Sequence, residues 1–458
     1  MTSIAPYVRR LKGRLAVAFV AFDLFDAALV EAACRSVGHR WRERFWTPTV
    51  TVLTFLRQVL QANCSCREAV AQTLALSDAK GLEIAGDPSA YSQSRQNLPR
   101  SALVMLNRRM VEAVRREAGG TRPWCGRDVV IVDGTSASMP DTSRSQRAWP
   151  QPSGQKPGCG FPVLRMAAIF CHASGCLLEW AVGSLQVSEL TLIRRLYDTL
   201  KAGTVVLGDT FFGSYYDLAL LGQRGLDGVF RLHQRRPTGR RIGTRLGDCD
   251  RRILWTKPKH KPRAVSDRAW AKVPETLAVR QVRLEIDLAG FRTKRLHVVT
   301  TLMDPVAYPA AKLAELYRDR WRVELNLRSL KTTLKMEVLK CKSPDMVLKE
   351  LQVYQLAYNL IRMLMWRTAR ACGIDPRRLS FAGTQQRINA VLPRLAMCGT
   401  TEEFARITLA LMERIAADRL PDRPNRIEPR AVKRRPKNYR RLTQPRAEAR
   451  RLVYCIGA

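Results

Sequence analysis

The chain has 458 residues, of which 46% are hydrophobic and 26% charged; this ordinary globular mix excludes a disordered chain, a collagen-like polymer and a small disulfide scaffold. The 78 Lys+Arg against 40 Asp+Glu leave a net charge of +38. Such self-repulsion calls for a polyanionic partner, and nucleic acid takes precedence over a membrane surface because Lys and Arg displace counterions condensed on phosphates.

Near the N-terminus, Arg9, Arg10, Lys12 and Arg14 precede the apolar run Leu15–Phe22, which imitates a targeting signal. Eight residues are far short of the roughly 20 that span a bilayer, so the expectation is a cytoplasmic protein associated with the nucleoid. The 12 cysteines include no Cys-x-x-Cys pair, which argues against a zinc ribbon or a disulfide framework. Residues 1–118 read as a helical DNA-binding domain: Thr47–Val59, Cys66–Leu76 and Ser101–Arg116 carry apolar residues three and four apart with charges between them.

At Asp128 the period changes. Val129-Val-Ile-Val-Asp-Gly134 is a continuously apolar run ending in a turn, the pattern of a buried strand. A hairpin is expected from Val163–Phe170 and Leu177–Val182, then a helix over Ser188–Leu200, with Ser188 as N-cap and Glu189 facing the positive end of the helix. Thr204–Asp209 reads as a second buried strand, Tyr215–Leu221 as a helix and Gly228–Leu232 as a further strand. These make 119–232 the first part of a core of strands and helices. Residues 233–293 are basic, contain Gly and Pro, and read as an inserted β-rich subdomain. The core resumes over 294–370 with a long amphipathic helix from Ala310 to about Lys335 and another over Pro344–Arg370. Residues 371–458 form a C-terminal helical region and a basic tail. The fold class expected is α/β, a mixed sheet flanked by helices.

Asp133 and Asp209 sit at or near the carboxyl ends of strands, where side chains leave the core and reach ligands. Alone, each is as well explained by a turn. The helix beginning near Glu315 discriminates: at about 100° per residue, Tyr317, Arg320, Glu324 and Lys331 fall within about 60° of one another. Leu316, Val323, Leu327, Leu330 and Leu334 form the adjoining buried stripe, so the polar residues run along its rim. Three carboxylates converging from Asp133, Asp209 and Glu324 would repel one another unless divalent cations stood between them. Two Mg²⁺ ions, with Mn²⁺ as a substitute, suit such oxygen ligands and phosphodiester chemistry. Arg320 and Lys331 would grip phosphates and Tyr317 would donate a hydrogen bond or stack on a base.

The pattern Tyr317-x-x-Arg320-x-x-x-Glu324-x-x-x-x-x-x-Lys331 resembles the Tyr-Arg-Glu-Lys motif of bacterial insertion-sequence transposases of the DDE, cut-and-paste kind. Asp133-Gly-Thr135 and Gly208-Asp209 resemble the other two acidic motifs. The resemblance extends to Tyr91–Pro99 and to Glu428-Pro-Arg-Ala431. It implies a ribonuclease-H-like core, binding of terminal inverted repeats, a hairpin intermediate, and a homodimer on double-stranded DNA at element ends and target. It also implies a Trp stacked on a flipped base, for which Trp255 and Trp270 both qualify unless they are core. One departure is the bulky ring of Phe211, two places after Asp209, where the family often has a small residue. The alternatives are a metal-dependent DNA nuclease on the same core and a domesticated DNA-binding protein without catalysis.

Overall fold

The computed structural model describes residues 27–76, 86–119, 124–238, 242–285, 295–398, 400–421 and 441–456. The apolar run at 15–22 and the segment 428–431 lie outside them. The chain forms two compact units, one of Met1–Thr121, Ser174–Leu177 and Asn326–Pro421, the other of Arg122–Ala173, Leu178–Leu325 and Asp422–Ala458.

The first unit is helical. Helices Pro48–Leu60, Cys66–Ala75 and Arg100–Gly119 match the apolar periodicity, and Thr47 and Ser65 cap the first two through side-chain oxygens that accept from Val50 and Glu68 amides. Helix Pro344–Ala371, buried along most of its length, packs with them rather than with a sheet. Its Asn359 completes the backbone pairing of Leu177, and its buried Glu350 accepts from the Lys340 and Cys341 amides at 2.9 Å each. The core part expected at 294–370 is therefore divided between the two units.

The second unit is built on a nine-stranded mixed sheet of order β3-β2-β1-β4-β5-β9-β8-β7-β6. Its strands are β1 Val129–Ser138, β2 Val163–Cys171, β3 Leu177–Ser184, β4 Val205–Gly208, β5 Asp227–Arg231, β6 Thr244–Gly247, β7 Asp250–Thr256, β8 Thr276–Glu285 and β9 Arg295–Thr300. β1, β4 and β5 are parallel; β2 and β9 run antiparallel to them. The parallel strands are apolar without alternation because they are covered on both faces. Helices Glu189–Arg194, Tyr215–Gln223 and Ala310–Arg318 pack on β2, β5 and β8 respectively. The strands of the inserted stretch are not a separate sheet: β8 pairs along β9 and carries β7 and β6 outward from it.

Three elements differ from the sequence expectation. β1 does not end in a turn at Gly134 but continues to Ser138, because β2 pairs with it through Ser138↔Val163. The helix expected over Ser188–Leu200 stops at Arg194 and gives way to a 3₁₀ turn at Tyr197–Thr199, although the Ser188 cap forms, accepting from the Thr191 amide at 3.1 Å. The long helix from Ala310 is broken into Ala310–Arg318, a 3₁₀ turn Asp319–Trp321, Arg322–Arg328 and a π turn Ser329–Thr333. The first break coincides with Asp319, whose carboxylate is held from the side by His172 and Arg322.

One buried ion pair ties the inserted strands to this helix. The Arg280 guanidinium on β8 is fully buried and bonds the Asp250 carboxylate on β7, with Nε 2.8 Å from Oδ1. It also donates to the carbonyls of Tyr308 at 2.8 Å, Leu302 at 3.2 Å and Asp304 at 3.3 Å, fixing the loop that leads into Ala310.

Candidate active site

Parallel pairing between β1 and β4 runs Val129↔Val205 to Ile131↔Leu207. Two residues further on come Asp133, still within β1, and Asp209, one residue past the end of β4. The period of two puts both side chains on the face of Ile131 and Leu207. β4 ends at Gly208, so from Asp133 onward β1 is paired only with β2 and its other side opens into the site. Asp209 is extended and caps the 3₁₀ turn Thr210–Phe212, its Oδ1 accepting from the Phe211 amide at 2.7 Å.

Burial pushes the Asp133 carboxyl up to about 6. The Gly134 amide, donating at 2.8 Å, opposes this, the charges of Asp209 and Glu189 add to it, and Arg320 offsets it. Tyr317 is buried, which pushes its phenol up to about 12 against the pull of Arg320 and Arg231. Arg320 donates to Glu324 Oε1 at 3.1 Å across one turn. Glu324 lies farther out than a rim position implies, with 63% of its side chain exposed against 24% for Arg320. The neighbouring apolar stripe is buried as expected at Leu316, Val323, Leu327, Leu330 and Leu334.

Of the six residues singled out in the sequence, Asp133, Asp209, Tyr317 and Arg320 interact electrostatically, and Glu324 joins them through Arg320. Lys331 belongs to the helical unit, where its ammonium lies 4.0 Å from Glu337. Among the described residues, no three His, Cys, Asp or Glu side chains are grouped so as to hold a metal ion. The donors nevertheless have the chemistry of a hard-cation site: carboxylate oxygens only, with Asp133 half-buried beside a second acid. The two tryptophans of the inserted stretch differ in exposure, Trp255 being buried and Trp270 partly buried. Trp255 is buried under the Arg236 guanidinium, 3.9 Å from its ring centre, and Trp270 lies between Tyr216 and Lys257. The large exposed rings near the acids are Phe211 and Trp321, 49% and 43% exposed.

Sequence reasoning missed Glu189 as part of this neighbourhood. A Cβ added to Gly134 would lie 2.2 Å from Glu189 Cδ, so the Glu189 carboxyl fills the space that a side chain at 134 would take, and its charge is felt at the neighbouring Asp133. Its place after an N-cap serine read as helix electrostatics, and only the tertiary packing of that helix on β2 reveals the contact.

A mixed sheet whose adjacent parallel strands β1 and β4 carry Asp133 within one and Asp209 just after the other, with Arg320 close to both acids through Tyr317 and Asp133, is an arrangement suited to phosphodiester chemistry. The family described as transposase DDE domain matches residues 124–360. The transposase InsG for insertion sequence element IS4 of Escherichia coli (strain K12) is 30% identical over 363 residues, covering 77% of this chain and 78% of that protein. The cryo-EM structure of the piggyBac transposase synaptic complex with hairpin DNA is similar at a TM-score of 0.41 and 10% identity, over 86% of this chain and 85% of that one, a likeness too slight to argue from. The chain belongs to the DDE-domain transposase family and is an enzyme of DNA transposition. Among the described residues no helix is long and apolar enough to cross a membrane.

Proposed function

We propose that this transposase binds the terminal inverted repeats of its own element, cuts them and joins them to a target by a cut-and-paste route. Asp133, Asp209 and Glu324 are its catalytic acids, and Tyr317, Arg320 and Lys331 contact DNA. The observation that carries this reading is the nearness of Asp133 and Asp209, each two residues beyond the last parallel pair Ile131↔Leu207 of adjacent strands, with the charge of Asp209 felt at Asp133. The strand order β3-β2-β1-β4-β5, antiparallel on one side of β1 and parallel on the other, supports a ribonuclease-H-like core.

Two Mg²⁺ ions held by these carboxylates would supply activation of the attacking oxygen and stabilisation of the leaving one. The protein's own groups do the rest. Arg320 bridges between Glu324 and the field of Asp133, so a scissile phosphate that takes over its guanidinium fork frees Glu324 to turn toward the aspartates. Tyr317, with its phenol held protonated by burial, donates a hydrogen bond to the DNA and does not attack it. Water is the first nucleophile and the freed 3′ hydroxyl the second, and the resemblance to the Tyr-Arg-Glu-Lys transposases implies a DNA hairpin between them. In the helical unit, a cavity of about 760 Å³ lined by Arg40, Arg42, Arg44 and Trp41 supports DNA binding there. Synapsis of two ends calls for a homodimer on DNA.

The test is cleavage of a duplex carrying the element's terminal repeat. Glu324→Gln is expected to lose cleavage by at least about 10³-fold while binding the duplex as the parent does. Full cleavage by this variant removes the assignment, and cleavage at any sequence without joining to target identifies a nuclease instead.

A further inference from the structure

We infer that the inserted strands carry a further DNA site: a pocket for a backbone phosphate, formed by Arg251, Arg283 and Arg295 on the face of the sheet turned away from Asp133. The inference needs DNA as the substrate and does not depend on the assignment of the catalytic acids.

The strand register places the pocket. Ile131, two residues before Asp133, pairs with Leu207, Leu207 with Val229, Val229 with Thr300 and Thr300 with Arg280, so the face of Asp133 continues across the sheet to Arg280. Arg283 and its partner His297 lie an odd number of residues from Arg280 and Thr300, as does Arg295 from Thr300, and Arg251 pairs with Gln281. The period of two therefore sets all four basic side chains on the opposite face. Together with Cys249 they line a cavity of about 360 Å³, ample for a phosphate group.

The three guanidiniums lack good acceptors. Where arginine has a structural task in this unit it hydrogen-bonds a carboxylate, as Arg194 does Asp217 and Arg280 does Asp250. Among the described residues, no guanidinium of the pocket does so. Arg283 donates to Cys249 Sγ at 3.1 Å, a weak acceptor, and its Nε–H is buried with no partner. Arg251 donates to the Ile242 carbonyl at 3.4 Å. The acids at the rim are exposed: Glu285 lies 4.0 Å from Arg283 and 3.5 Å from Arg295, and Asp248 pairs with Arg245. Such exposed pairs are weak and yield to a phosphate, whose oxygens take the guanidinium fork in two parallel bonds. Burial and the charge of Arg283 hold the His297 imidazole below its ordinary value, which leaves it a neutral hydrogen-bonding partner at pH 7.

Gathered positive charge of this kind draws in an anion, and for an enzyme of DNA transposition that anion is the DNA backbone. Because the pocket faces away from Asp133, the DNA it holds is not the stretch being cut. It is a further stretch of the same duplex or a second duplex.

The test is binding of a fluorescein-labelled duplex of unrelated sequence to the full-length protein, followed by anisotropy over a range of NaCl concentrations. Arg251→Gln and Arg283→Gln are each expected to weaken binding at least about threefold and to lower the slope of log affinity against log salt by about 1. Arg283→Lys keeps the charge and is expected to keep the slope, with circular dichroism confirming the fold of each variant. With the protein saturated by unlabelled terminal-repeat duplex, a persisting loss identifies a second duplex as the occupant, and a loss seen only before saturation identifies a further stretch of the first. Parental affinity and slope in both Gln variants would overturn the proposal. So would an equal loss in Arg252→Gln, exposed on the other face of β7, which would make the effect one of net charge. Loss of inorganic phosphate binding by ³¹P NMR with duplex binding unchanged would assign the pocket to a free anion and overturn the DNA site.

Discussion

His172 Nε2 lies 2.8 Å from Asp319 Oδ2, joining the β2–β3 hairpin to the 3₁₀ turn between Tyr317 and Glu324. Both side chains are largely buried, and Arg322 holds the other carboxylate oxygen. The contact fixes the angle at which the helix leaves Tyr317 and presents Arg320. His172→Ala is expected to lower cleavage about tenfold with repeat binding retained, and to lower stability by about 1–2 kcal/mol. Single-turnover cleavage, gel-shift titration and urea denaturation check the three parts. Unchanged cleavage would mean that the turn keeps its geometry without the clamp.

Asp133 gives a pH-dependent signature. Its carboxyl titrates at about 6 in the fold, above the ordinary 3.8, so the folded protein holds this proton more tightly than the unfolded chain. The associated stability is fully present below pH 3.8 and is lost as the pH rises through 6. In metal-free protein, Asp133→Asn is therefore expected to melt above the parent at pH 7.5, at roughly 2 °C per kcal/mol of relieved burial, and level with it near pH 4. Mg²⁺ should narrow the difference at pH 7.5 by stabilising the parent. Scanning calorimetry at the two pH values, with and without Mg²⁺, measures both effects.

The Arg280–Asp250 pair is buried and serves three further carbonyls. Arg280→Met strands a buried carboxylate and the loop at 302–308, at an expected cost of about 3–5 kcal/mol. Adding Asp250→Leu should restore much of that stability, while cleavage recovers less because the loop into Ala310 stays unpinned. Denaturant midpoints and cleavage rates of the single and double variants check this.

Much of the sheet was legible in the sequence because a buried parallel strand is written as an unbroken apolar run. Val129–Val132 and Thr204–Leu207 could be read that way, and the aspartates after them followed. The helix wheel held where the geometry is local: Arg320 and Glu324 are four apart and bond, and Leu316, Val323 and Leu327 are buried. It failed across Asp319–Trp321, since a 3₁₀ turn advances about 120° per residue and the cause of the turn, His172, is 147 residues away. The length of β1 and the joining of β6–β8 to the core sheet were likewise set by partners distant in the chain. Glu189 was hidden for the same reason, since its carboxyl lies over Gly134 on another element.

The central claim is that the aspartates touch the catalytic cation, and ligand exchange tests it most directly. A thiolate binds Mn²⁺ far better than Mg²⁺. Asp209→Cys is expected to lose cleavage of the terminal-repeat duplex in Mg²⁺ and to regain a measurable fraction in Mn²⁺, with Asp209→Ala inactive in both. Cleavage by Asp209→Cys at the parental rate in Mg²⁺, or equal inactivity of the Cys and Ala variants in Mn²⁺, would contradict it.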